Sequence, residues 1–207
     1  MKKILDRIFV DGLSGMAQGL FATLIIGTII QQIGTFAGGN IGDMIYLIGK
    51  MAAGLTGAGI GAGVARKLDA GHLVIVSAAV AGMIGAFAGS LRAGTLLSEG
   101  SLVLSGPGEP LGAFVAAYIA IELGILVSGK TRLDIILTPL VCIGAGSAVG
   151  LLVGPPISGF MAWLGSLINW GTEQQPFLMG IVVSVLMGLL LTLPISSAAL
   201  GVILNLS

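Results

Sequence analysis

Apolar runs that approach or exceed the thickness of a bilayer alternate with short polar stretches along this chain, and that alternation sets its elements. A spanning helix needs about 20 apolar residues to cross a hydrocarbon core of about 30 Å. Runs near 12–32, 44–65, 72–91, 111–129, 133–154 and 177–193 meet or approach that length. The pattern predicts an all-α integral membrane protein, a polytopic bundle of about six to seven transmembrane helices, with six as the working count. Composition agrees, with 56% hydrophobic and 9% charged residues.

Three segments fall short of a span. Thr95 to Pro110 is too polar to cross and is expected either to fold back into the membrane or to form an exterior loop. Ile157 to Trp170, between Pro155-Pro156 and Pro176, is apolar but short, which predicts an interfacial or re-entrant helix. Ile195 to Ser207 follows Pro194 and is too short to return across the bilayer, so a fragment of a longer protein or a half-helix resting on a partner is expected. Tyr46, Trp163 and Trp170 read as interface anchors.

The formal net charge is zero, but seven of the nine basic residues fall on one side of the expected topology: Lys2, Lys3, Arg7, Arg66, Lys67, Lys130 and Arg132. By the positive-inside rule that side is cytoplasmic, with the N-terminus inside. Asp6 and Asp11 interrupt the apolar core that a cleavable signal would need, so residues 1–11 are expected to form an amphipathic lead-in helix.

The chain has 35 glycines, and Gly57, Gly61, Gly82, Gly85, Gly89, Gly146, Gly150 and Gly154 fall at spacings of three or four. Small residues so spaced share one helix face and let backbones approach, which is how helices associate in lipid. A repeat with a period of about 65 overlies this spacing. Arg66-Lys67-Leu68-Asp69 is answered by Thr131-Arg132-Leu133-Asp134, Gly85 and Gly89 by Gly150 and Gly154, and Glu109-Pro110 by Gln175-Pro176. The expected organisation is one permease-like domain over 1–207, with parallel hairpin repeats near 43–91 and 109–154 and a partial third unit, 175–207.

The repeat brings polar groups to one outer level: Asn40 and Asp43, then Glu109, then Glu173, Gln174 and Gln175. Carboxylates and amides hydrogen-bond hydroxyls, so Asn40, Asp43, Glu109, Glu122, Gln174 and Gln175 are the candidate substrate-binding residues for a neutral polyhydroxyl solute. Glu122 and Lys50 are ionisable groups inside spans, where charge is costly and marks function by default. An ion pair between them across the bundle would relieve both. Gln18, Gln31 and Gln32 are weaker candidates. The lone Cys142 excludes an internal disulfide, and the lone His72 at a membrane boundary has no neighbouring metal ligand. Neither a catalytic motif, a metal site nor a cofactor motif is present, and no basic patch suits nucleic acid.

Three stretches carry a family resemblance: Gly106-Pro107-Gly108-Glu109-Pro110-Leu111-Gly112-Ala113, Ser128 to Ile136 with Thr138-Pro139, and Gln174 to Gly180 with Leu193-Pro194-Ile195-Ser196-Ser197. They resemble the PfoR-type membrane family, which is grouped with the IIC permease components of the sugar phosphotransferase system. The resemblance implies a multi-pass protein of the bacterial cytoplasmic membrane that binds a sugar or polyol and hands it inward to a separate phosphorylated IIB protein. It implies no enzymatic step in this chain, and it matches Glu109 to the glutamate that such permeases place on sugar hydroxyls. No long loop for IIB docking is visible, so two other readings stay open: a proton- or ion-coupled transporter of a small organic solute, and a membrane sensor or regulator. Close glycine packing also predicts a homodimer.

Overall fold

The computed structural model describes residues 5–98, 100–104 and 106–172, with 180, 181, 184, 185 and 188. Arg7–Ala37 is one apolar helical run of 31 residues, α1, with π-helical turns at Arg7–Gly12 and Phe21–Ile25. The expected lead-in over 1–11 is thus corrected from Arg7 onward: this stretch is the start of α1, held in line where Gly12 meets the Phe114 ring at a distance that would leave a Cβ only 3.2 Å. Gly38 and Gly39, at φ 63° and 62°, reverse the chain in a left-handed conformation open to glycine.

Gly39–Gly54 (α2) and Thr56–Lys67 (α3) follow, bent by 51° about Leu55. The run expected as a span over 44–65 is therefore divided between two helices at a bend. At the break the buried Thr56 hydroxyl donates to the Ala53 carbonyl at 2.6 Å, satisfying an acceptor there. His72–Ala86 (α4) and Ala88–Arg92 (α5) are separated by Phe87. Leu97–Ser98 (β1) and Ser101–Leu102 (β2) pair antiparallel in a minute hairpin. Pro110–Val127 (α6) and Asp134–Thr172 (α7, 39 residues) complete the described bundle.

Residues 157–170, expected as a separate interfacial or re-entrant helix, instead continue α7 without a break. Pro155 and Pro156 lie inside it. Each lacks the N–H that would bond four residues back, but contacts with α5 on both sides of the pair hold the helix in line: a Cβ at Gly154 would stand 2.7 Å from the Ala88 Cβ, and one at Gly89 would stand 3.0 Å from the Ser158 Oγ. By length and composition α1, α6 and Asp134–Ser166 of α7 can each cross a membrane, and the bent α2–α3 pair makes a fourth candidate, with α4 a shorter apolar helix. The run expected over 177–193 lies outside the described residues except for Gly180, Ile181, Ser184, Val185 and Gly188.

Backbone-to-backbone contact sets the packing. Gly15 on α1 lies against Gly63 on α3, Gly57 on α3 against Gly82 on α4, Gly85 on α4 against Gly112 on α6, and Gly146 on α7 against Ala116 on α6. A Cβ at Gly15, Gly57, Gly85, Gly112 or Gly146 would lie 2.5–2.8 Å from the facing carbonyl oxygen. All of these pairs are antiparallel. In contrast α4 and α7 run parallel, so that Gly146 meets Ala81 and Gly150 meets Gly85. The large core side chains Met16, Leu20, Ile60, Val64, Val74 and Ile121 fill the remaining interior, and Cys142 is buried where α7 crosses Gly124.

Gly85→Val should lower the melting temperature of the detergent-purified protein, because overpacking a close crossing costs about 1–3 kcal/mol. Gly144→Ala, where a Cβ meets nothing within 4 Å, should leave it unchanged or slightly raised; this is read by a thermal unfolding series on the two variants.

Candidate functional site

The break between α4 and α5, the loop before α6 and the later turns of α7 converge on one cavity of about 370 Å³. Its lining includes Ala86, Phe87, Gly89 and Ser90 from the break, Gly106, Pro107, Gly108 and Glu109 from the loop, and Ser158, Met161 and Ala162 from α7. Gly106 and Gly108 have φ of 73° and 74°, so the chain either side of Pro107 takes a path that residues with side chains rarely adopt. Gly108 lies so close to α4 that a Cβ would stand 2.8 Å from that of Ala86. The next amide, Glu109 N–H, donates to the Ala86 carbonyl at 2.7 Å. That carbonyl sits where α4 ends, and its bond to Glu109 ties the loop to the helix terminus.

Glu109 caps α6. Its carboxylate accepts from Leu111 N–H at 3.2 Å and from Gly112 N–H at 2.7 Å, while Pro110 occupies the first helical position, where no amide is needed. Burial pushes the Glu109 carboxyl above its ordinary range, against the two backbone N–H groups that pull it down. Each carboxylate oxygen keeps a lone pair beyond the one used in capping. Because Glu109 also lines the cavity, it can cap the helix and accept from a hydroxyl at once. Ser90 and Ser158 add hydroxyls to the same walls.

The other expected binding residues lie elsewhere. Asn40 and Asp43 are exposed in the first turns of α2 and do not line this cavity. Gln174 and Gln175, with Glu173, lie outside the described residues. Glu122 does not pair with Lys50. Its carboxylate accepts from Arg7 Nε at 2.7 Å, and Tyr118 interacts with both members. The correction follows from where Glu122 sits: it lies five residues before Val127, towards the end of α6, where the antiparallel α1 presents its first turn. Lys50 instead lines two further cavities beside the Pro107 loop and forms no ion pair among the described residues. His72 is exposed at the start of α4, and no group of metal-ligating side chains occurs among the described residues.

Three residues at these sites escape a reading of the sequence alone: Arg7 as the partner of Glu122, and Ser90 and Ser158 in the cavity wall. A signal for Ser158 was present, since Gly146, Gly150, Gly154 and Ser158 form a four-residue stripe that ends in a hydroxyl. Arg7 had none, because a basic residue near the N-terminus is already accounted for by topology.

A family model described as "Phosphotransferase system, EIIC" matches residues 10–207. No curated protein and no solved structure matches the chain.

Arg7→Gln and Glu122→Gln should each lower the melting temperature, and the double variant should lose less than the sum of the two. The side chains are 39% and 36% exposed, so a double-mutant cycle should return a coupling of about 0.5–1 kcal/mol.

Proposed function

The chain belongs to the phosphotransferase-system EIIC family, and from that premise we propose that it is a permease for a sugar or polyol bound in the Glu109 cavity. EIIC domains are membrane-embedded transport components that work with other components of the phosphotransferase system and are not catalytic by themselves. In this reading a separate phosphorylated IIB protein carries the chemistry, and this chain binds and releases the solute. The observation that carries it is the Glu109 carboxylate, fixed by two backbone N–H groups and bordering a cavity of about 370 Å³. Preorganised acceptors of this kind suit hydroxyl donors, since little side-chain freedom is lost on binding.

The proposal extends to orientation and assembly. Arg7 lies at one end of α1, Arg66 and Lys67 close α3, and Lys130 and Arg132 follow α6. This basic end would face the cytoplasm and Glu109, at the other end of α6, the exterior. The polar groups Asn40, Asp43, Gln174 and Gln175 would then line the outer approach. The hairpin of α1 and α2, with Ile33, Phe36, Ile41 and Met44 exposed, is the surface on which the proposed homodimer would form. Positions 65 apart that meet across α4 and α7, such as Gly85 and Gly150, support the hairpin repeat. The PfoR-type affiliation is a narrower placement within the same proposal.

Glu109→Gln should bind sugars and polyols about tenfold more weakly, equivalent to about 1.4 kcal/mol, since one acceptor becomes a donor. Ligand-dependent thermal stabilisation of the folded, monodisperse variant against wild type measures this. Equal stabilisation of both proteins would remove Glu109 from the site.

A further inference from the structure

The hairpin formed by the later part of α1, Ile26–Ala37, and by α2 is packed on itself. Over Ile26–Ala37 the buried residues are Gly27 and Gly34, and over Gly39–Gly54 they are Gly42, Gly49 and Ala53. All five lie on the seam between the two helices. A Cβ at Gly27 would stand 2.6 Å from Ala53 N, one at Gly49 2.6 Å from Gln31 N, and one at Gly34 2.7 Å from the Gly42 carbonyl oxygen. Towards the basic end the pattern changes. Met16 and Leu20 of α1 and Ile60 and Val64 of α3 are fully buried, and Gly57 and Gly61 carry the packing on to α4. The hairpin is thus a tightly seamed arm, and the rest of the bundle is the body to which it is joined.

Both connections between arm and body are irregular, and they lie side by side. Helix α1 passes through the π-helical turn at Phe21–Ile25, and α2 passes into α3 through the 51° bend at Leu55. A Cβ at Gly59, four residues beyond the bend, would stand 2.5 Å from Thr23 Cγ2 in the π-turn. The Leu55 N–H is shared between the Met51 and Ala52 carbonyls, at 3.2 Å each. Hydroxyls support both places, since Thr23 donates to the Gly19 carbonyl at 2.8 Å and Thr56 to the Ala53 carbonyl at 2.6 Å. A few residues at the ends of elements that absorb changes in φ and ψ are what hinges consist of, and π-turns inside α-helices are frequent at functional sites.

A cleft separates the arm from the body. In one part, of about 250 Å³, Thr28 and Gln31 of the arm share the walls with Gly106 and Pro107 of the loop before α6. In the next, of about 360 Å³, Leu47 and Met51 share them with Met83 and Leu104. Lys50, Gly54 and Leu104 border both parts, which therefore adjoin. Leu47, Met51 and Leu104 are exposed there. An open gap forfeits dispersion contacts along both walls, and an inward swing of the arm would restore them. Gly106 and Pro107 also line the Glu109 cavity, so the arm would close against the stretch of chain that leads into Glu109.

We propose that this arm is a lid: it swings as one body about Phe21–Ile25 and Leu55, and it closes the cleft onto the Pro107 loop when solute fills the Glu109 cavity. The seam glycines keep the arm rigid, so movement is confined to the two irregular connections. Closure of this kind sequesters a bound solute from its outer approach. The inference rests on the reading of the Glu109 cavity as the solute site.

The test places nitroxide spin labels on two pairs of exposed positions and reads their separation by pulsed electron paramagnetic resonance, in phosphatidylcholine nanodiscs and diluted with unlabelled protein. Met44→Cys with Val76→Cys joins arm to body, since Val76 lies seven residues before Met83 on the same face of α4. Val76→Cys with Leu152→Cys lies within the body, and the native Cys142 is buried. Glucose, mannitol and N-acetylglucosamine are the probes, and thermal stabilisation of the same samples reports which of them binds. The expected result is an arm-to-body distance distribution broader than the one within the body, which moves to shorter distance with a sugar that stabilises the protein while the pair within the body stays fixed. A stabilising sugar that leaves the arm-to-body distance unchanged, or shifts both pairs alike, overturns the lid and leaves the Glu109 reading standing. Stabilisation by none of the three overturns the Glu109 reading and the lid with it.

Discussion

Contact between glycine backbones is the constraint on which this bundle depends. In lipid there is no gain from removing apolar surface from water, so helices hold together through packing and polar contacts, and close approach is what packing requires. Glycines stand where α1 meets α3, α3 meets α4, α4 meets α6 and α6 meets α7. Carbonyl oxygens occupy the space where their side chains would be. This leaves each crossing with little room to slide and fixes where the helices must end or break.

The cavity follows from that fixity. With α4 held against α3, α6 and α7, its last carbonyl at Ala86 is left to accept from outside the helix where α4 stops at Phe87, and the loop before α6 is drawn onto it through Gly108 and the Glu109 amide. Glu109 then caps α6 from a position that borders open space. A residue that terminates one element and starts another is a natural place for binding chemistry, because the backbone already needs polar partners there. The Arg7–Glu122 pair works at the opposite end of α6, tying the first helix to the bundle near the basic end.

Much of the architecture was legible in the sequence. The all-helical membrane class and the glycine faces follow from composition and spacing, and every glycine in the expected stripe from Gly57 to Gly154 has a close neighbour across a crossing. Element boundaries were less legible. Hydropathy does not register the bend at Leu55, since the residues on both sides are apolar, and proline statistics from water predict a stop at Pro155-Pro156 that packing against Ala88 and Gly89 overrides. Glu109 was legible because a glutamate before a proline at the head of an apolar run is a capping signal. The partner of Glu122 was not: two charges within apolar runs suggest each other, but which helices are neighbours is a tertiary fact, and the neighbour of α6 at that level is the first turn of α1.

In the proposed permease, solute occupies the space between the Glu109 loop and α7. Ser158 lines that space, while the native Cys142 is buried. The most direct test is the rate at which Ser158→Cys, in otherwise native protein, reacts with a small charged thiol reagent with and without solute. The expected result is labelling that a bound solute suppresses, with Ile136→Cys on the exposed face of α7 unaffected. Labelling of Ser158→Cys at an unchanged rate under a solute that stabilises the protein would contradict it and place the binding site elsewhere.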